Sequence, residues 1–169
     1  MPAERIHLDP DGDLTIKVRP DKDPLEYVVS KRTMCFASPA WRAMLTGQFS
    51  ESTASEVPFP EDDPDALLIV LRIAHLQFAL LPRSMSFLMV VKLAVLCDKY
   101  DTVALVKPFL SMWVDPHKEN LLTVNYQEWF FVAWVFGYEE EFNQLLHHSV
   151  VRVGRDLFAR GLFLNSRPL

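Results

Sequence analysis

Glycine is scarce in this sequence, with five among 169 residues and no two closer than seven positions. That spacing excludes a glycine-rich phosphate cradle and the dinucleotide fingerprint, both of which need several glycines within one turn. Cysteine is scarcer: Cys35 and Cys97 stand alone in apolar surroundings, without the Cys or His neighbours of a zinc site or the pairs of a disulfide framework. The five histidines, at positions 7, 75, 117, 147 and 148, include no His-Glu-x-x-His. Long apolar runs are missing too. The longest stretches without a charged residue reach ten, as from Trp129 to Tyr138, against about 20 for a bilayer span, so no membrane association is expected. Basic residues number 17 against 22 acidic, the net charge is −5, and no basic cluster exceeds Lys31-Arg32, which argues against direct contact with nucleic acid. The opening MPAERIHLDPDG lacks the apolar run of a secretory signal. With so little cysteine, that points to an intracellular location, cytoplasmic or nuclear.

Half of the residues are apolar, enough for a domain of this length to bury roughly 70% of its surface without a staple. From Asp13 to Arg19, Leu14, Ile16 and Val18 alternate with Thr15, Lys17 and Arg19, the period of a half-buried strand. A turn at Pro20 to Pro24 and a second strand from Leu25 to Ser30 complete a hairpin. Ser38-Pro39 predicts a capped short helix with Gly47 as a left-handed C-cap. A polar loop over 50–56 precedes an edge strand at Val57 to Phe59. Asp63-Pro64 opens a helix expected to carry Leu67, Leu68, Leu71, Ala74 and Phe78 on one side. Ser86 caps a second, with Met89, Leu93, Leu96, Cys97 and Tyr100 on one face. Thr102 caps a third reaching Trp113, where Pro108 predicts a kink or restart. Asn125 and Gly137 bracket a helix apolar all round, and Phe142, Leu145, Leu146, Ser149, Val150 and Val153 form the stripe of the last. Strands come early and helices dominate afterwards, so the class is α+β, a small three-stranded sheet flanked by a helical majority.

Little in the sequence reads as chemistry. Asp9-Pro10-Asp11-Gly12 resembles the loop of haloacid-dehalogenase-type phosphatases, with Asp9 as nucleophile and Asp11 as general acid. The plainer reading is a polar turn feeding the first strand. As a calcium loop the segment has Gly12 too early and Pro20 where a bidentate Glu belongs. Cys35 beside Phe36 reads as a small core residue, and the aromatic run from Tyr126 to Tyr138 reads as core packing. No catalysis, metal or cofactor is expected.

Three segments carry a family resemblance. Asp13-Leu14-Thr15-Ile16-Lys17-Val18, Ser38-Pro39-Ala40-Trp41-Arg42-Ala43-Met44-Leu45 and Leu93-Ala94-Val95-Leu96-Cys97-Asp98-Lys99-Tyr100-Asp101 are similar to the opening strand, the Ser-Pro-x-Phe-Arg-x-Met helix and the Asp-Lys-Tyr helix end of the BTB/POZ domain. The resemblance divides the chain into a short N-terminal segment over 1–12, the domain over 13–114, and a helical extension of fungal type over 115–169. It implies a non-catalytic protein-interaction module: a self-associating scaffold or adaptor, with substrate adaptor of a cullin-type ubiquitin ligase as the alternative. It further implies a dimer interface in which Asp13 pairs with Lys31. The junction from His75 to Phe87 gathers Leu76, Phe78, Leu80, Leu81, Met85 and Phe87 as a candidate partner surface. No Glu lies between Glu61 and Glu119, where cullin-recruiting members often carry one.

Overall fold

The computed structural model describes residues 4–18, 24–47, 54–122 and 126–159. The hairpin turn at 20–23, most of the polar loop and the Asn125 cap lie outside these. The described chain is mixed α+β and forms two compact units, 1–116 and 117–169.

The first unit is built on a sheet of four strands in the order β1-β3-β2-β4. Strands β2 (Leu14–Val18) and β3 (Leu25–Val29) are the expected antiparallel hairpin, with Leu14, Ile16 and Val18 buried as their alternation requires. Strand β4 (Glu56–Pro58) lies parallel to β2 at one edge, a position that tolerates Pro58. The expected count of three is corrected by β1 (Glu4–His7), which runs parallel to β3 at the other edge, so residues 4–7 of the expected N-terminal segment belong to the sheet. Only Ile6 in it is even half-buried. Its pairing rests on backbone bonds and an Arg5–Glu26 ion pair across the register, neither of which leaves a periodic trace.

Helix α1 (Lys31–Ala37) is another addition, followed by α2 (Pro39–Thr46). Ser38 caps α2 by accepting the Trp41 N–H at 3.0 Å. Gly47 ends the helix, but with φ −74° and not in the left-handed region. Helix α3 (Pro64–Ala74) starts at its Asp63 cap and stops four residues short of Phe78. Leu76 turns left-handed there, with φ 61°, and Phe78–Leu80 becomes a short 3-10 turn. Helix α4 (Phe87–Tyr100) begins at the Ser86 cap and ends at Asp101 with φ 51°. The kink expected at Pro108 is present: α5 (Val103–Val106) gives way to a 3-10 turn over Lys107–Phe109 before α6 (Leu110–Val114) resumes.

The end of α4 anchors the core. Ser38 Oγ donates to the Tyr100 carbonyl at 2.5 Å, and the Tyr100 ring lies 5.3 Å from Trp41 and 5.5 Å from Phe59. Lys99 Nζ and Tyr100 OH both donate to the buried Asp62 carboxylate, at 2.6 and 2.5 Å. Burial first, and Asp62 second, push the Tyr100 phenol well above its ordinary value. Lys99 and Tyr100 thus clamp the loop between β4 and α3.

The second unit pairs α7 (Tyr126–Phe136) with α8 (Glu139–Ala159) through Gly137 at φ 73°. Trp129, Val132, Ala133 and Phe136 are buried, but Trp134 is 62% exposed, so α7 has one open side. On α8 the expected stripe narrows: Leu145 is buried, Phe142 and Ser149 are half-buried, and Leu146 and Val150 are exposed. Among the described residues no helix is long and apolar enough to cross a membrane.

Candidate functional site

Asp9 and Asp11 occupy a turn that holds itself together. Asp9 accepts the Asp11 N–H on its carboxylate at 2.9 Å and the Gly12 N–H on its carbonyl at 3.2 Å. Gly12 is there because the turn presses against β3. A Cβ at that position would stand 2.7 Å from Val28 Cγ1 and 2.9 Å from the Val29 carbonyl oxygen. Among the described residues no group of three His, Cys, Asp or Glu side chains could hold a metal ion. Burial pushes the Cys97 thiol up to about 12, the state of an inert core cysteine.

Asp13 and Lys31 do meet, through the main chain. The Asp13 carboxylate accepts the Lys31 backbone N–H at 2.7 Å. Two further side chains serve the same helix start: Ser30 Oγ accepts the Thr33 N–H at 3.2 Å, and His75 Nε2 accepts the Ser30 N–H at 3.1 Å. His75 Nδ1 faces the Leu71 carbonyl at 2.8 Å, which fixes the proton on Nδ1. Three N–H groups at the start of α1 are thus met, by Asp13 just ahead of β2, by the helix's own cap and by the end of α3.

The segment from Leu76 to Phe87 stands out most. None of its six candidate residues is buried: Leu76, Phe78 and Leu80 are 73%, 49% and 55% exposed, while Leu81, Met85 and Phe87 are half-buried. Yet the segment is pinned from Gln77 to Pro82. The Gln77 N–H donates to the Arg72 carbonyl at 2.8 Å, and its side-chain amide reaches the Leu8 carbonyl at 3.0 Å. Arg72 Nη1 donates to the Leu80 carbonyl at 2.9 Å, and Trp113 Nε1 to the Pro82 carbonyl at 2.8 Å. The Phe78 ring leans on Phe109 at 5.8 Å, which stacks on Trp113 at 5.5 Å. A groove of about 420 Å³ runs alongside, with Leu68, Ile69, Leu80, Met85 and Met89 in its walls. This is a held apolar ledge, able to bury surface against another chain without first being ordered.

Sequence reasoning missed a second surface because it missed α1. Phe36 is 70% exposed, and Cys35, expected as a small core residue, is only half-buried. The guanidinium of Arg32 lies 5.7 Å from the Phe36 ring centre and that of Arg42 5.8 Å. The signal was the i, i+4 spacing of Arg32 and Phe36, visible only once that segment is taken as helical. Compared with known proteins, the chain matches no family model and no curated sequence.

Proposed function

We propose that the chain is a non-catalytic protein-interaction module of BTB/POZ type, an adaptor or scaffold that engages partners through the ledge between α3 and α4. One observation carries the reading: Leu76, Phe78 and Leu80 are exposed on a stretch held by hydrogen bonds at Gln77, Leu80 and Pro82. Leaving several large apolar side chains in water on an ordered loop favours a surface that another protein covers. The clamp of Ser38, Asp62 and Tyr100 supports the family part of the proposal, since it gives a structural task to two of the segments that resemble BTB/POZ.

The test is affinity capture with the full chain and a Phe78→Glu variant of matched helicity. A partner held by the wild type and lost from Phe78→Glu supports the ledge; equal retention by both overturns it. A cullin among the lost partners makes the chain a ubiquitin-ligase adaptor. Self-association around Asp13 and Lys31 is the scaffold form of the same reading. Light scattering over a concentration series decides it, a dimer that Asp13→Ala weakens favouring the scaffold and a monomer throughout leaving the adaptor.

A further inference from the structure

The α1–α2 face reverses the charge of the rest of the chain. Lys31, Arg32 and Arg42 line an open groove of about 540 Å³ together with the exposed Phe36, in a protein of net charge −5. Among the described residues in its walls the only carboxylate is Asp13, which already accepts the Lys31 N–H. Arg42 is fixed in place, its Nε donating to the Cys35 carbonyl at 2.9 Å. Both guanidinium groups sit over the same ring. Two cations at one aromatic ring concentrate positive charge around it, and an anion brought to that face is attracted by both. A guanidinium held over a ring keeps its in-plane donors for a carboxylate, and it is more weakly hydrated than an ammonium.

We infer that this face binds an acidic segment of another protein, one in which a carboxylate neighbours an apolar side chain. The carboxylate meets Arg32 and Arg42, and the apolar side chain covers Phe36. Asp13 and Lys31 line the same groove, so an acidic segment seated here competes with the scaffold form of the proposed function; a second copy fits less well, because a two-fold contact here sets Arg32 and Arg42 against their own images. The inference goes beyond the ledge, which lies on a different segment and carries no comparable charge.

The experiment is fluorescence anisotropy on the full chain with a labelled peptide that alternates Glu with Leu, beside a control that alternates Gln with Leu. The acidic peptide binds, more weakly as salt is raised. Arg32→Glu lowers its affinity about tenfold, Phe36→Ser lowers it too, and Phe78→Glu leaves it unchanged. Circular dichroism monitors folding, and Arg32→Gln replaces Arg32→Glu if reversal disturbs α1. Any of four results overturns the inference: no binding by the wild type, equal binding of the Gln peptide, tighter Arg32-dependent binding of single-stranded RNA, or a homodimer that Arg32→Glu dissociates.

Discussion

The Asp13 carboxylate accepts the backbone N–H of Lys31 across 18 residues, at 2.7 Å. A carboxylate at the first turn of a helix meets both an orphan donor and the positive end of the helix dipole. Asp13→Ala therefore destabilises the fold by about 1 kcal/mol. Asp13→Asn, which keeps an acceptor and loses the charge, costs less. Urea denaturation followed at the helical signal measures both.

Tyr100 is the next most informative side chain. Tyr100→Phe keeps the ring against Trp41 and Phe59 but removes the donor to buried Asp62. Losing a hydrogen bond to a buried charged group costs about 2 kcal/mol. Equilibrium denaturation is expected to show a lower midpoint with an unchanged slope, because the surface exposed on unfolding stays the same.

Asp63 predicts an acid limb. Partial burial works to raise its pKa, but the Lys92 ammonium at 2.7 Å and the Ala66 and Asp65 N–H groups prevail, leaving it below the ordinary carboxylate value. A depressed folded-state pKa stabilises fully above the unfolded value of about 4 and loses that contribution as pH falls through the folded one. Melting temperature is thus expected to drop below about pH 4. Asp63→Asn should flatten that part of the curve, by the share Asp63 contributes.

Leu76 combines strain with exposure. Its left-handed φ of 61° disfavours a side chain, and its leucine is 73% exposed. Leu76→Gly relieves about 1 kcal/mol of backbone strain against a smaller entropic cost in the unfolded chain, for a net gain of about 0.5 kcal/mol. The same change removes apolar surface from the ledge. A variant that melts later and captures partner less well is the expected outcome.

Capping residues made most helix starts legible. Ser38, Asp63 and Ser86 each accept an N–H three residues on, a local geometry that the residue types announce. Helix α1 escaped because its start is held from outside: only Ser30 is a local cap, while Asp13 and His75 come from distant elements. The end of α3 was overrun because apolar spacing continues past Ala74 although the backbone turns at Leu76. Of the candidate surfaces, the ledge was visible as an excess of apolar residues. The Arg32, Phe36 and Arg42 face was not, since it joins two helices of which one was unforeseen.

The amino-acid order by itself determined the hairpin alternation, the helix starts capped at Ser38, Asp63 and Ser86, the break at Pro108 and the helical majority, because each depends on side chains within a few positions of one another; the cap expected at Thr102 makes no side-chain capping bond. Tertiary structure alone decided that β1 joins the sheet in parallel, that α1 forms, and which apolar residues stay in water. These depend on partners far along the chain: β3 for β1, Asp13 and His75 for α1, Leu8 and Trp113 for the ledge. No local pattern encodes such a meeting, since its free energy exists only once the distant partner is in place.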